Sequence, residues 1–167
     1  MNLKQTMAEL EAAGTAQNCK IYKRHGATGA MFGVSYAVLD KLAKQLNRDE
    51  HAHTLAMELW ATGNHDARVL ACKIADPEKV RARHVDAMAK QCRDHVVGDA
   101  LCGLVIKTDV ARSRAERWTS SRDEFVSMCG WSVMAGMAAV AVPVWDGQGK
   151  LLATLSAHAP IQRRSLV

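Results

Sequence analysis

The sequence has few aromatic residues, few prolines and no long uninterrupted apolar run. Aromatic residues make up 5% of the 167 residues, and there are three prolines. β-Branched residues are also sparse, whereas Ala, Leu, Lys, Arg and Met recur, and this composition favours helices over strands. With 49% hydrophobic and 23% charged residues, the chain is long enough for one domain with a core. We therefore expect an all-α globular protein.

The sequence also lacks the patterns of metal sites, signal peptides and membrane spans. No CxxC pair is present, no His stands at zinc spacing from a Cys pair, and the five cysteines are spread as Cys19, Cys72, Cys92, Cys102 and Cys129. We predict reduced, mostly buried thiols and no metal or other cofactor. Charges interrupt the apolar positions of the N-terminus, and no window has the length that a membrane helix needs. These absences predict a cytoplasmic protein with no membrane partner.

Positive charge is concentrated in the middle of the chain. The formal net charge is +5, and residues 68–122 hold 12 Lys or Arg against 7 Asp or Glu. A basic helical protein of this kind is suited to bind phosphate. The alternative is that these side chains are merely solvated on outer helix faces.

Apolar spacing predicts successive helices with defined ends. Ser35 and Asn64 stand at N-cap positions, Gly63 ends a helix as a C-cap glycine does, and Pro77 stops the next helix at Asp76. A fourth helix is expected from Pro77 to about Gln91. Helix pairs then begin near Ser35, Asn64, Asp94 and Arg122, which lie 28 to 30 residues apart. This period predicts a short α-solenoid of antiparallel helix pairs, of the HEAT kind.

The polar residues after Gly63 have two interpretations. In one, Asp66 is a charge at the positive end of the helix dipole and braces the turn, and His65 is a turn residue. In the other, His65 and Arg68 lie on the concave face, where a solenoid presents its binding surface. We favour bracing for Asp66 and a groove-facing role for Arg68.

Three segments resemble one known family: FGVSYAVLDKLAK (32–44), AMELWATGNHDARVLACKIADP (56–77) and DALCGLVIKT (99–108). They look like AlkD-type glycosylases of the DNA alkylation repair family, over about residues 10–138. The resemblance implies a HEAT-like α-α superhelix that binds duplex DNA in a basic concave face. It also implies hydrolysis of the N-glycosidic bond of N3- or N7-alkylated purines without a metal.

The resemblance places the catalytic aspartate at Asp99. Cleavage of the glycosidic bond builds positive charge on the sugar, which a nearby carboxylate stabilises. The alternative is a partly buried helix residue paired with an Arg. Candidate DNA contacts are His95, Arg68, Lys107, Arg112 and Arg114. His95 stands where the family has a Trp, and Met128 where it has a backbone-binding Arg, and these departures favour a non-catalytic DNA-binding protein as the alternative.

A different pattern begins after the last predicted helix. We expect a HEAT-like domain at 1–140, truncated relative to the family, and a non-family tail at 141–167. Two apolar runs around residues 146–149 predict a β-hairpin, and this tail resembles a fragment of the effector domain of IclR-type regulators. A solenoid without its last repeats is expected to self-associate through its C-terminal end. The alternative functions are a non-catalytic HEAT-like DNA-binding protein, a protein-binding scaffold or a truncated product.

Overall fold

A computed structural model describes residues 1–138 and the backbone of two strands at 141–145 and 151–156. The described helices and strands are α1 Leu3–Ala13, α2 Ala16–Arg24, α3 Tyr36–Leu46, α4 Ala52–Ala61, α5 His65–Ile74, α6 Ala82–Gln91, α7 His95–Val105, α8 Ala111–Thr119, α9 Glu124–Met137, β1 Ala141–Trp145 and β2 Leu151–Ser156. The described domain is therefore helical, as the composition predicts.

The helices form two layers. Helices α3, α5, α7 and α9 pack on one another in that order, and we call them the inner layer. Helices α4, α6 and α8 pack mainly on inner helices, with far less backbone contact among themselves, and form the outer layer. The inner helices therefore pack more closely on one another than the outer helices do. In a solenoid the concave surface is the one used for binding.

The 28–30-residue period corresponds to the start of each inner helix. Ser35, Asn64, Asp94 and Asp123 are the N-cap residues of α3, α5, α7 and α9. The Asn64 side chain accepts hydrogen bonds from two amides of the first turn, and Asp94 and Asp123 cap their helices in the same way. The repeating polar residue therefore begins the second helix of each pair, since α4 packs on α5 and α8 packs on α9.

One helix boundary agrees with the prediction from residue spacing, and another does not. Gly63 follows the C-cap of α4 with φ of +73° and allows the chain to turn directly into α5. The fourth predicted helix does not begin at Pro77, because α6 starts only at Ala82. The Asp76 carboxylate accepts from the Glu78 amide instead and holds residues 76–79 in a turn.

One continuous core joins the pairs. Its fully buried side chains come from every described helix except α2 and include Leu10, Leu59, Leu70, Leu101 and Val133. Cys72, Cys92, Cys102 and Cys129 are buried in this core as free thiols, and Cys19 is half-buried, as predicted. Gly130 lets α9 touch α8, since a Cβ there would lie 2.8 Å from the Trp118 carbonyl carbon.

The two strands pair in antiparallel orientation, in agreement with the predicted β-hairpin. Ala141 lies opposite Ser156 and Val144 opposite Ala153, and the register shifts between Val144 and Trp145. The turn residues 146–149 lie outside the described residues. Among the helices that the structure describes, none is long and apolar enough to cross a membrane.

Candidate nucleic-acid interface

Asp99 lies on the exposed side of inner helix α7, one turn after His95. Its carboxylate forms no hydrogen bond and no ion pair with any residue of the described part of the chain. The alternative prediction of an Asp paired with an Arg is therefore wrong for these residues. An exposed carboxylate without a partner in the described residues is available to a ligand on the inner layer.

The surroundings of Asp99 favour its neutral form. Burial raises the pKa of the Asp99 carboxyl above its ordinary value, and the nearby Asp94 adds to this, whereas His95 opposes it. Tyr36, on the first inner helix, has its pKa raised to about 12 by burial and by neighbours that include Asp99.

The Tyr36 side is further organised by an ion pair. The Lys73 ammonium lies 2.7 Å from the Asp40 carboxylate and 5.2 Å from the centre of the Tyr36 ring. A cation over an aromatic face is an attractive contact of about 0.5–1 kcal/mol at exposed sites. Lys73 therefore connects α5 to α3 beside Tyr36, and its charge is shared with Asp40.

His95 is exposed and faces α9. Its imidazole contacts the thioether of Met128, and its ring centre lies 6.1 Å from that of Phe125. The two positions that depart from the family resemblance, His95 and Met128, are therefore neighbours on the inner layer. This side of Asp99 is lined by sulfur and aromatic groups rather than by an indole and a guanidinium.

Asp66 is a completely buried residue that holds a loop of the chain. Its carboxylate accepts hydrogen bonds from the amides of Phe32, Gly33 and Val34, at 2.7, 3.1 and 2.9 Å. The predicted bracing role is therefore correct in kind, but the braced element is the α2–α3 loop more than 30 residues earlier. Asp66 is not available to a ligand.

His65 is the first residue of α5, directly after the α4–α5 turn, and it is buried between helices, so the interpretation that places it on a concave binding face is wrong. Its Nδ1 lies 3.5 Å from the Asp94 carboxylate, its amide donates to the Ala30 carbonyl, and its ring is tilted 5.3 Å from that of Tyr22. Burial raises the pKa of Asp94, but the nearby His65 imidazole and the hydrogen bond that the Val97 amide donates together lower it below its ordinary value. His65 therefore connects α2, α5 and α7 beneath the inner surface.

Arg68 makes packing contacts with the outer layer. Its guanidinium lies 5.1 Å from the centre of the Trp60 ring and donates to the carbonyl of Trp60. It also donates to the backbone and side-chain oxygens of Gln91, at the end of α6. These contacts direct the Arg68 side chain to the ends of α4 and α6. They correct the prediction that Arg68 faces the groove.

Arg112 and Arg114 lie on the outer helix α8, away from the layer that carries Asp99. Arg114 donates to the Asp86 carboxylate at 2.8 Å, and the Trp118 indole donates to the other oxygen of the same carboxylate. Arg112 pairs with Glu116 one turn along α8. The structure therefore does not bring these two predicted contacts together with Asp99.

Lys107 lies just past the C-terminal end of α7. It is about 12 Å along the helix axis from Asp99, at 1.5 Å per residue. It lines a cleft of about 420 Å³ together with Lys73, Lys79 and Asp49. Lys107 is exposed, so it can reach the edge of the inner layer but not the immediate surroundings of Asp99.

The inner layer as a whole is not basic. Its four helices hold four cations, Lys41, Lys44, Arg68 and Lys73, against four anions, Asp40, Asp66, Asp99 and Glu124. The sequence count over residues 68–122 missed a basic segment elsewhere: helix α2 holds three cations and no acid. A search for unopposed charge in single helices would have found it.

Comparisons with known proteins identify this architecture. A solved structure described as "a new family of proteins related to the HEAT-like repeat DNA glycosylases with affinity for branched DNA structures" superposes with a TM-score of 0.76 at 31% identity. The alignment covers 83% of this chain and 58% of that chain. The protein is thus a HEAT-like helical-repeat protein related to DNA glycosylases, and it spans less than two thirds of that relative.

The family assignment follows from a second comparison. The family model for "DNA alkylation repair enzyme" matches residues 6–153. The chain belongs to the DNA alkylation repair enzyme family, which confirms the resemblance seen in the sequence. The match extends beyond residue 140, and the division into a family domain and a non-family tail stays a prediction. A search of curated proteins finds no match.

Proposed function

We propose that this protein binds duplex DNA across its inner layer and hydrolyses the N-glycosidic bond of N3- or N7-alkylated purines. The observation that carries the proposal is the Asp99 carboxylate, exposed on α7 and without a hydrogen-bonding or ionic partner in the described residues. Membership of the alkylation repair family and the likeness to a relative of DNA glycosylases support the same reaction class.

The chemistry needs little from the protein beyond one carboxylate. An alkylated purine carries positive charge, so the C1′–N bond breaks with its electron pair going to the purine, which leaves as a neutral base. Positive charge then develops on the sugar, and the ionised Asp99 stabilises it. Water adds to C1′, and its proton passes to Asp99 or to solvent.

The test is single-turnover release of N7-methylguanine from a duplex. We expect Asp99→Asn to lower the release rate by about 10²–10³, the usual cost of removing one electrostatic stabiliser. The matched control is Asp40→Asn, because Asp40 is also an exposed inner-layer carboxylate but is paired with Lys73. Equal rates in the wild type and Asp99→Asn, or equal losses in both variants, would contradict the assignment.

A second candidate function is DNA binding without excision. It is favoured by the contact between His95 and Met128, which occupies the positions of the Trp and Arg that the resemblance leads one to expect. The solved relative is described as having affinity for branched DNA. Tighter binding of a four-way junction than of a linear duplex of equal length, with no base release, would establish this function instead.

A further inference from the structure

Helix α2 has the most one-sided charge of the described helices. It holds Lys20, Lys23 and Arg24 within nine residues and no acidic residue. These three positions share one helix face, since they are spaced by three and four residues. All three side chains are exposed, and none forms an ion pair with another described residue. Unopposed positive charge of this kind attracts a polyanion.

The opposite face of α2 attaches it to the inner layer. The Tyr22 ring packs against His65 at the start of α5, and the Tyr22 hydroxyl donates to the Val34 carbonyl just before α3. The Thr15 amide donates to the Gly33 carbonyl, and Asp66 holds the same loop through three amides. Helix α2 is therefore fixed beside the N-terminal ends of α3 and α5.

This position is close to the candidate site. The Tyr22 ring lies 5.3 Å from the His65 ring, and His65 Nδ1 lies 3.5 Å from the carboxylate of Asp94, the N-cap residue of the helix that carries Asp99. The loop that leaves α2 is open to solvent at Gly26 and Gly29, where an added Cβ would meet no atom within 4 Å. No protein atom therefore crowds the loop at these two glycines, next to the C-terminal end of α2.

We infer that the exposed face of α2 binds the phosphates of one DNA strand and so holds the duplex over Asp99. The inference deepens the proposed function and rests on its first part, the binding of duplex DNA by the inner layer. The inner helices have as many anions as cations, so they supply no net positive charge for binding DNA. Helix α2 adds three positive charges at their edge. The partner is the sugar-phosphate backbone, read without base specificity.

The test is the salt dependence of duplex affinity, measured by fluorescence anisotropy between 50 and 200 mM salt. The variant is Lys20→Gln, Lys23→Gln and Arg24→Gln combined. Each phosphate contact contributes about 0.9 to the slope of log affinity against log salt. If all three bind phosphate, the slope of the variant is shallower than that of the wild type by about 2.7. The wild type then loses about 40-fold more affinity than the variant between 50 and 200 mM salt.

A matched control removes the same charge elsewhere. Lys4, Arg48 and Arg83 are exposed cations of α1, the α3–α4 connection and α6, and their triple Gln variant should keep the wild-type slope. Equal slopes for the two triple variants, or no duplex binding by the wild type, overturn the inference. Base release is scored separately: intact α2-dependent binding without release contradicts excision and leaves the role of α2 supported.

Discussion

The Nδ1 atom of His95 lies 2.9 Å from the Sδ atom of Met128. These are the two positions at which the sequence departs from the glycosylase resemblance, and the structure shows that they contact each other between α7 and α9. Gly98 completes the arrangement, because a Cβ there would come within 2.7 Å of the Met128 methyl group. His95 and Met128 therefore pack against each other, and a substitution that tests one of them should be combined with a substitution of the other.

The first prediction concerns this pair. We expect the double variant His95→Trp with Met128→Arg to release N7-methylguanine about 10-fold faster than the wild type, or more. The indole would cover more apolar surface than the imidazole, and the guanidinium would add a phosphate-binding charge beside Asp99. Single-turnover kinetics of both single variants and the double variant measure the effect. A folded double variant that is no faster would show that these positions do not limit excision.

The second prediction concerns Asp99 and pH. Because the folded-state pKa of Asp99 is raised above its ordinary value of 3.8, its contribution to stability is fully present below 3.8. That contribution is lost as pH rises through the folded-state pKa. Asp99→Asn should therefore raise the thermal midpoint at pH 7, and the difference should shrink in acid. A variant less stable than the wild type at pH 7 would contradict this.

The same raised pKa has a kinetic consequence. If the ionised carboxylate carries the reaction, the release rate falls as pH decreases through a value above 3.8. The pH profile of single-turnover release by the wild type measures this value. A rate that stays constant down to pH 4 would mean that the reaction does not use the ionised form of Asp99.

The third prediction concerns Asp66. Asp66→Ala would leave the Phe32, Gly33 and Val34 amides without their acceptor in a buried site. We expect a loss of about 3–5 kcal/mol in the free energy of unfolding, measured by urea denaturation. Asp66→Asn retains one carbonyl acceptor and should lose less. Equal and small losses in both variants would mean that other contacts hold the α2–α3 loop.

The sequence predicted the repeat because its signals are local. Asn64 and Asp94 accept hydrogen bonds from amides two or three residues away, so their capping role is visible in the order of residues. The start of α6 was missed for a related reason. Pro77 is compatible with a first helical turn, but Asp76 captures the Glu78 amide, and the helix begins only after Arg81.

Candidate site residues were harder to predict, because their partners are distant in the chain. Nothing near Arg68 indicates that its guanidinium reaches Gln91, 23 residues away, or that Arg114 reaches Asp86, 28 residues away. Asp99 could be selected through the family resemblance, and only the structure shows that its carboxylate has no partner among the described residues. Helix α2 was missed because charge was counted over a long segment rather than over single helix faces.

The hydrogen bonds of Asp66 also set an order of events during synthesis. Residues 32–34 need an acceptor that is translated 32 to 34 residues later. At about 5–20 residues per second, the Asp66 acceptor is synthesised roughly 2–7 seconds after the α2–α3 loop. A nascent chain stopped before residue 66 therefore lacks the acceptor that holds the α2–α3 loop in the folded protein.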